Sequence, residues 1–292
     1  MSKPHPEPIS IELDLNLRLW DHGGSGEPIL FLHGYLDNGR SYDAIAERLP
    51  APYRALCLDW RGHGESQWVG PGGSYHLLDH LKDLNRVLHW LDENQMVPKA
   101  IVAHSMGGNI ASMLTGIRPD RVQRLFLLDA LLPPPEEPET QPERLERVLI
   151  NQEHVKEFRT FSSREDAAAR IMKTNIGLSE LGAKRMAEHA LCPDETTAGQ
   201  FKYRLDPRLR GPTPVRYPES MWLELCARMQ ANVFLLRSEH GYVPMNDVTQ
   251  ARLKQIKRMT VATIDHVGHH LHVEDPDCVV EHILRFMAHE ES

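Results

Sequence analysis

The stretch from Ile101 to Ile110 constrains this chain more than any other. It reads Ile-Val-Ala-His-Ser-Met-Gly-Gly-Asn-Ile: the end of an apolar run typical of a buried strand, then Ser105, then a helix rich in small residues. A serine on such a strand-to-helix turn holds its hydroxyl exposed above the sheet edge, and its strained backbone requires small neighbours. Ala103 and Gly107 meet that requirement. A glycine-rich turn opening an ordinary buried helix would look the same, so Ser105 needs a base, an acid and an oxyanion hole to be a nucleophile.

Continuous apolar runs alternate with amphipathic helices between residues 28 and 130. Strands are predicted at 28–32, 53–58, 100–103 and 124–128, and helices at 41–49 and 77–91. This alternation predicts a parallel sheet covered by helices on both faces. Two segments with alternating polarity, 9–13 and 15–20, predict antiparallel strands before it.

A proline- and glutamate-rich stretch, Pro133-Pro-Pro-Glu-Glu-Pro138, interrupts this alternation. Helix-like segments follow near 142–158, 164–174, 178–190 and 218–230, and residues 200–207 look extended. Strands resume at 231–237 and 259–264, and a helix is predicted at 276–288. We therefore expect a core formed by residues 1–132 and 229–292, with a helical cap or lid inserted over 133–228.

Composition excludes several classes of protein. The formal net charge of −8 over 292 residues argues against a nucleic-acid partner, which would need a basic surface. The N-terminus lacks an apolar signal region, and no apolar run reaches membrane-spanning length. The four scattered cysteines, at positions 57, 192, 226 and 278, predict reduced structural thiols and a cytoplasmic protein.

A histidine-rich segment, Asp265-His-Val-Gly-His-His-Leu-His-Val-Glu-Asp-Pro276, follows the last predicted strand. A base for Ser105 is expected here, because open α/β sheets place their sites at the carboxyl ends of the strands. Four histidines in seven residues also suit a metal ion, but a metal site needs partners at defined geometry. We expect neither a metal nor a cofactor.

Four motifs, in this order, resemble the α/β-hydrolase fold over nearly the whole chain. They are His33-Gly34-Tyr35, Asp59-x-Arg61-Gly62-x-Gly64-x-Ser66, Ala103-His-Ser105-Met-Gly107-Gly108 and Gly268-His269-x-x-His272-x-Glu274-x-Pro276. The resemblance implies an α/β fold: a mostly parallel sheet of about eight strands, helices on both faces and a helical cap insertion. The His33–Asn38 and Ser238–Tyr242 stretches, with the late Gly-His-x-x-His, look more specifically like the serine hydrolase-like proteins.

The resemblance assigns roles to residues of the motifs. The histidine directly after the glycine, His269, corresponds to the catalytic base. The backbone N–H groups of Tyr35 and Met106 correspond to the oxyanion hole. We expect structural roles for the other histidines of these motifs and loops, namely His63, His266, His270 and His272.

The acid departs from the family's commonest pattern. Gly241 stands where many members carry an aspartate after the penultimate strand. The family's other arrangement places the acid at the end of the strand that follows the helix after Ser105, and Asp129 occupies that position. A simple loop-capping role for Asp129 remains open, as do Glu239 and Asp247 as the acid.

These features predict a serine hydrolase with a Ser105-His269-Asp129 triad. It would cleave a small carboxylic ester or a related acyl substrate through an acyl-enzyme. A cofactor-free haloperoxidase or perhydrolase shares the same triad and stays possible, as does a non-catalytic ligand-binding member of the fold. The acyl group and the oligomeric state are not determined by the sequence.

Overall fold

A sheet of eight strands lies at the centre of the chain. The computed structural model describes residues 5–175 and 177–288. The strands in chain order are β1 (Glu7–Glu12), β2 (Asn16–Asp21), β3 (Glu27–Leu32), β4 (Tyr53–Leu58), β5 (Ala100–His104), β6 (Arg124–Leu128), β7 (Leu191–Pro193), β8 (Phe201–Tyr203), β9 (Asn232–Ser238) and β10 (Met259–Ile264). Strands β7 and β8 form a separate antiparallel pair.

The order of strands in the large sheet is β1-β2-β4-β3-β5-β6-β9-β10. Strand β2 pairs antiparallel with β1 and with β4, and the remaining neighbours pair in parallel. All five residues of β5 and the last four of β3 are buried, as expected for strands covered on both faces. The predicted mostly parallel sheet of about eight strands is confirmed.

The helices connect the strands and flank the sheet. They are α1 (Asp43–Arg48), α2 (Leu77–Glu93), α3 (Ser105–Ile117), α4 (Gln141–Glu153), α5 (Arg164–Thr174), α6 (Glu180–Ala190), α7 (Glu219–Arg228), α8 (Asp247–Gln255), α9 (Leu271–Glu274) and α10 (Pro276–Ala288). Two of them, α8 and α9, were not predicted: α9 has only four residues, and α8 is a mostly polar helix with only two buried residues.

Apolar side chains form a core on each face of the sheet. One core joins α2, α3 and α7 to the sheet and includes Leu84, Ile110 and Trp222. The other core joins α1 and α10 to the opposite face and includes Ile45 and Ile283. Helices therefore cover both faces, as predicted.

No described helix has the length and apolarity needed to cross a membrane. All four cysteines are free.

The segment between β6 and β9 contains helices α4 to α7 and strands β7 and β8, and its division from the core as an insertion stays a prediction. Its helices α5 and α6 pack with Phe161 and Val273 in a small apolar cluster of their own. Helix α7 behaves differently, although it lies inside the predicted 133–228 boundary. Its Trp222 and Cys226 are buried in the larger core beside α3, so this end of the insertion packs as part of the sheet layer. Amphipathic periodicity identifies an apolar face but not the neighbour that covers it.

Candidate active site

Ser105 lies at the turn between β5 and α3. Its backbone adopts φ +49°, in the left-handed region that side chains other than glycine rarely occupy. A Cβ on Gly107 would come within 2.6 Å of the carbonyl oxygens of Leu32 and His33. A small residue is therefore required after this serine, and the turn has the geometry that the sequence predicted.

The loop after β3 lies beside this serine. A Cβ on Gly34 would be 3.1 Å from Cβ of Ser105. The next residue, Tyr35, donates a 3.0 Å hydrogen bond from its hydroxyl to the carbonyl oxygen of Leu209. Tyr35 therefore connects the loop beside Ser105 to the segment between β6 and β9.

The side chain of His63 forms a hydrogen bond with the same loop. Its Nε2 accepts a hydrogen bond from the amide of Leu36 at 3.3 Å, while its Nδ1 donates to the carbonyl oxygen of Arg61 at 2.9 Å. Burial lowers the pKa of His63 well below its usual value, so the ring is neutral and this donor–acceptor arrangement is fixed. These contacts agree with the structural role expected for His63.

His269 and Asp129 meet although 140 residues separate them. Nδ1 of His269 lies 2.6 Å from Oδ2 of Asp129. Because a carboxylate oxygen accepts, Nδ1 carries the hydrogen, and Nε2 is left with a lone pair for another donor. The two alternatives for the acid are placed differently: Glu239 and Asp247 are exposed, and Asp247 begins α8.

The Asp129 carboxylate is held by the loop after β9. Its side chain is fully buried. The amide of Tyr242 donates to Oδ2 at 2.6 Å, and the amide of Ser238 donates to Oδ1 at 3.3 Å. Asp129 itself has φ +46°. These backbone donors fix the orientation of the carboxylate toward His269.

His269 is also held on its other sides. His104, the residue before Ser105, donates from Nε2 to the carbonyl oxygen of His269 at 2.9 Å. The ring of Tyr242 stacks on the His269 ring with centroids 3.9 Å apart. Neither His104 nor Tyr242 could be assigned a role from sequence, because both contacts depend on distant segments meeting in three dimensions.

The remaining histidines of this region form a buried cluster behind His269. Nε2 of His272 lies 3.6 Å from Oδ2 of Asp37 and 3.3 Å from Oγ of Ser41. Burial alone would raise the pKa of Asp37, but His272 and neighbouring imidazoles hold it below its usual value. Burial lowers the pKa of His270 to about 3, and its Nε2 contacts Oδ1 of Asn175 at 2.9 Å.

Two buried histidines, His104 and His272, lie close to Asp37. Asp37, His104 and His272 are buried and offer ligand atoms within 4.8 Å of one another, so this group could hold a metal ion. His266 lies apart from them: it is exposed, and its Nε2 is 2.7 Å from Oδ2 of Asp275, which raises its pKa. The expectation of no metal stays a prediction.

Comparisons with known proteins show the family to which the chain belongs. The sequence model of the alpha/beta hydrolase fold family matches residues 27–169. Human serine hydrolase-like protein 2 is 30% identical over 227 residues, which cover 74% of this chain and 69% of that protein. The chain belongs to the α/β-hydrolase fold family.

Within that family, the chain is close to the serine hydrolase-like proteins, as the sequence motifs predicted. The crystal structure of a hypothetical protein from Pseudomonas aeruginosa PAO1 matches with TM-score 0.85 and 29% identity, covering 97% of this chain and 98% of that one. A thioesterase domain from the curacin biosynthetic pathway shares the fold, with TM-score 0.82, 23% identity and coverage of 97% and 100%. The protein is thus a hydrolase of the α/β fold.

Proposed function

We propose that this hydrolase cleaves a carboxylic ester or a related small acyl substrate through an acyl-enzyme, with Ser105, His269 and Asp129 as its triad. The observation that carries the proposal is the 2.6 Å contact between Nδ1 of His269 and Oδ2 of Asp129. This contact orients the imidazole of His269. In the same protein, the turn between β5 and α3 holds Ser105 at a left-handed φ, as expected for an exposed nucleophile.

The proton transfers follow from the tautomer of His269. With its hydrogen on Nδ1, the ring has a free lone pair on Nε2, which takes the hydroxyl proton as Oγ of Ser105 attacks the substrate carbonyl. Asp129 stabilises the imidazolium that forms. The imidazolium then protonates the leaving group, and the same nitrogen later activates a water that releases the acyl group from Ser105.

The oxyanion of the tetrahedral intermediate needs donors that are already in place. We assign these to the backbone N–H groups of Met106, at the start of α3, and Tyr35, in the loop beside Ser105. The approach of Gly34 to Ser105 supports this assignment, because it brings that loop next to the nucleophile. The N-terminal end of α3 adds the positive pole of its helix dipole.

Labelling with a fluorophosphonate probe tests the nucleophile. The wild-type protein should be labelled and Ser105→Ala should not. Ser112→Ala is the matched control, because Ser112 lies on the same helix but is fully buried. Labelling of the Ser105 variant would place the nucleophile elsewhere.

Hydrolysis of 4-nitrophenyl esters of increasing acyl length tests the reaction itself. Turnover that depends on chain length and disappears in Ser105→Ala supports the proposal. A protein that turns over no ester in the series, although folded, would instead be a non-catalytic ligand-binding member of the fold.

A further inference from the structure

A cleft of about 530 Å³ opens between the loop after β3 and the cap. Tyr35 and Leu36 line its core side, together with His270, the neighbour of His269. The cap lines the opposite side with residues from its α5 and α6 helices and the segments before and after them. Since the backbone of Tyr35 carries a proposed oxyanion donor, this cleft borders the loop that we assign to the oxyanion hole.

The cap side of the cleft is rich in guanidinium groups. Arg159, Arg170 and Arg210 all line it. Arg159 lies 3.3 Å from the carboxylate of Asp166. Within residues 5–175 and 177–288, neither Arg170 nor Arg210 has a carboxylate at ion-pair distance. Two positive charges of the cleft are therefore not neutralised by an ion pair.

One aromatic ring and a backbone oxygen contact the guanidinium of Arg210. Its guanidinium carbon lies 5.3 Å from the centroid of the Phe158 ring, and Nη1 is 3.4 Å from the carbonyl oxygen of Glu157. Its charge also opposes the rise that burial gives to the pKa of Tyr35. These contacts position the guanidinium near Tyr35 without cancelling its charge.

Arg170 reaches the cleft from α5. Its charge and that of Arg159 oppose the rise that burial gives to the pKa of Tyr203, which also lines the cleft. Glu157 is the exposed carboxylate of the lining, and Asp37 is buried beside His272. The lining thus contains three guanidinium groups and one exposed carboxylate.

Three buried apolar side chains also line the cleft, and we call them its apolar floor: Ile171, Met186 and Leu205. An elongated ligand with an apolar stem and an anionic end fits both features, because the stem would cover the apolar floor and the end would pair with guanidinium.

We propose that this cleft selects substrates with an anionic group, carboxylate or phosphate, several bonds from the reacting carbonyl, and that Arg170 and Arg210 bind that group. The inference rests on the proposed hydrolase function. The anion can belong to the acyl side or to the leaving group, and two matched substrate pairs distinguish these sources.

The first pair places the charge on the acyl side: mono-4-nitrophenyl adipate against 4-nitrophenyl heptanoate. The second places it on the leaving group: hexanoyl-coenzyme A against the hexanoyl thioester of N-acetylcysteamine. In at least one pair we expect kcat/KM to be about tenfold higher for the anionic member, and this preference to shrink with added NaCl.

The double variant Arg170→Gln/Arg210→Gln should remove that preference. Both side chains are exposed, so the fold should persist. Lys173→Gln is the control: it removes a positive charge from the same helix, three residues after Arg170, but does not line the cleft. The control should keep the preference of the wild-type protein.

Each failure has a distinct signature. Equal hydrolysis of the charged and neutral members of both pairs would overturn the inference while leaving the hydrolase intact. So would a preference that survives in the double variant or disappears in Lys173→Gln. A protein that is neither labelled by fluorophosphonate nor active on any of the four substrates would overturn the proposed function, and the inference with it.

Discussion

Gly241 lies directly against the carboxylate of Asp129. A Cβ on Gly241 would come within 2.2 Å of Oδ2 and 2.4 Å of Oδ1, whereas ordinary contact begins at 3.4 Å. The space that a side chain at position 241 would fill is therefore occupied by the carboxylate that contacts His269. The absence of a side chain at position 241 is therefore what allows the Asp129 carboxylate to reach His269.

Gly241→Ala should consequently disturb the proposed triad without reaching Ser105. The added methyl must displace either the Asp129 carboxylate or its own loop. A shift of about 1 Å in a catalytic group lowers the rate by up to about a hundredfold, so kcat for a nitrophenyl ester should fall by that order. Wild-type kcat in a folded Gly241→Ala protein would show that the carboxylate is not needed at this position.

A double exchange tests the same relationship by rescue. Asp129→Gly should be tolerated by the backbone, because φ at this position is +46°. Combined with Gly241→Asp, it moves the carboxylate to the neighbouring loop and leaves room for it. The double variant should recover part of the kcat that Asp129→Gly loses, and it should exceed Gly241→Asp alone. If the double variant is no more active than either single variant, position 241 cannot supply the acid.

Asp129→Asn tests the acid with the least change in shape. The amide can donate to Nδ1 of His269 and favour the wrong tautomer, so kcat should fall by on the order of 10³–10⁴. Far-ultraviolet circular dichroism checks that the fold is retained. Glu239→Gln and Asp247→Asn are the matched controls, and a comparable loss in either would move the acid to that residue.

Tyr35→Phe distinguishes the role of the Tyr35 hydroxyl from the role of the Tyr35 backbone N–H. The substitution removes the hydroxyl that donates a hydrogen bond to the carbonyl oxygen of Leu209, in the segment between β6 and β9. The loss of one such hydrogen bond should lower the free energy of unfolding by about 1 kcal/mol. Because the proposed oxyanion donor is the backbone N–H, kcat should change far less than in Asp129→Asn. A loss of kcat as large as that variant shows would place the hydroxyl in the chemistry.

Local patterns predicted the parts of the site that depend on local structure. The turn at Ser105 could be predicted because an apolar strand, a small-residue helix and small neighbours all lie within ten residues. The parallel sheet could be predicted from continuous apolar runs, which burial on both faces requires. His269 came from a motif resemblance, and its contact with Asp129 is now seen in the structure.

Contacts between distant segments could not be predicted in this way. The hydrogen bond from His104 to the His269 carbonyl oxygen spans 165 residues, and the stacking of Tyr242 depends on how the loop after β9 folds. The packing of α7 against the sheet could not be predicted either, because the apolar periodicity of this helix is equally typical of a cap helix. From the sequence, Gly241 showed only that the usual aspartate is absent at this position. In the structure, the lack of a side chain at Gly241 leaves the space that the Asp129 carboxylate occupies.

Buried histidines make the stability of this protein depend on pH. His80 is buried, and burial, with the charge of Arg61 second, lowers its pKa from 6.5 to about 3. Between these values the unfolded chain binds a proton that the folded protein does not. The free energy of unfolding therefore rises with pH across this window, and stability is lost as the pH falls from about 6.5 toward 3.

His80→Phe should reduce this dependence. One such histidine contributes about 1.4 kcal/mol per pH unit to the slope of the free energy of unfolding. We expect urea unfolding between pH 4 and pH 6 to show a slope smaller by about that amount in the variant. His89→Phe, which replaces an exposed histidine on the same helix, controls for the exchange of residue type. If His80→Phe keeps the full slope of the wild-type protein, His80 binds its proton equally in the folded and unfolded chains.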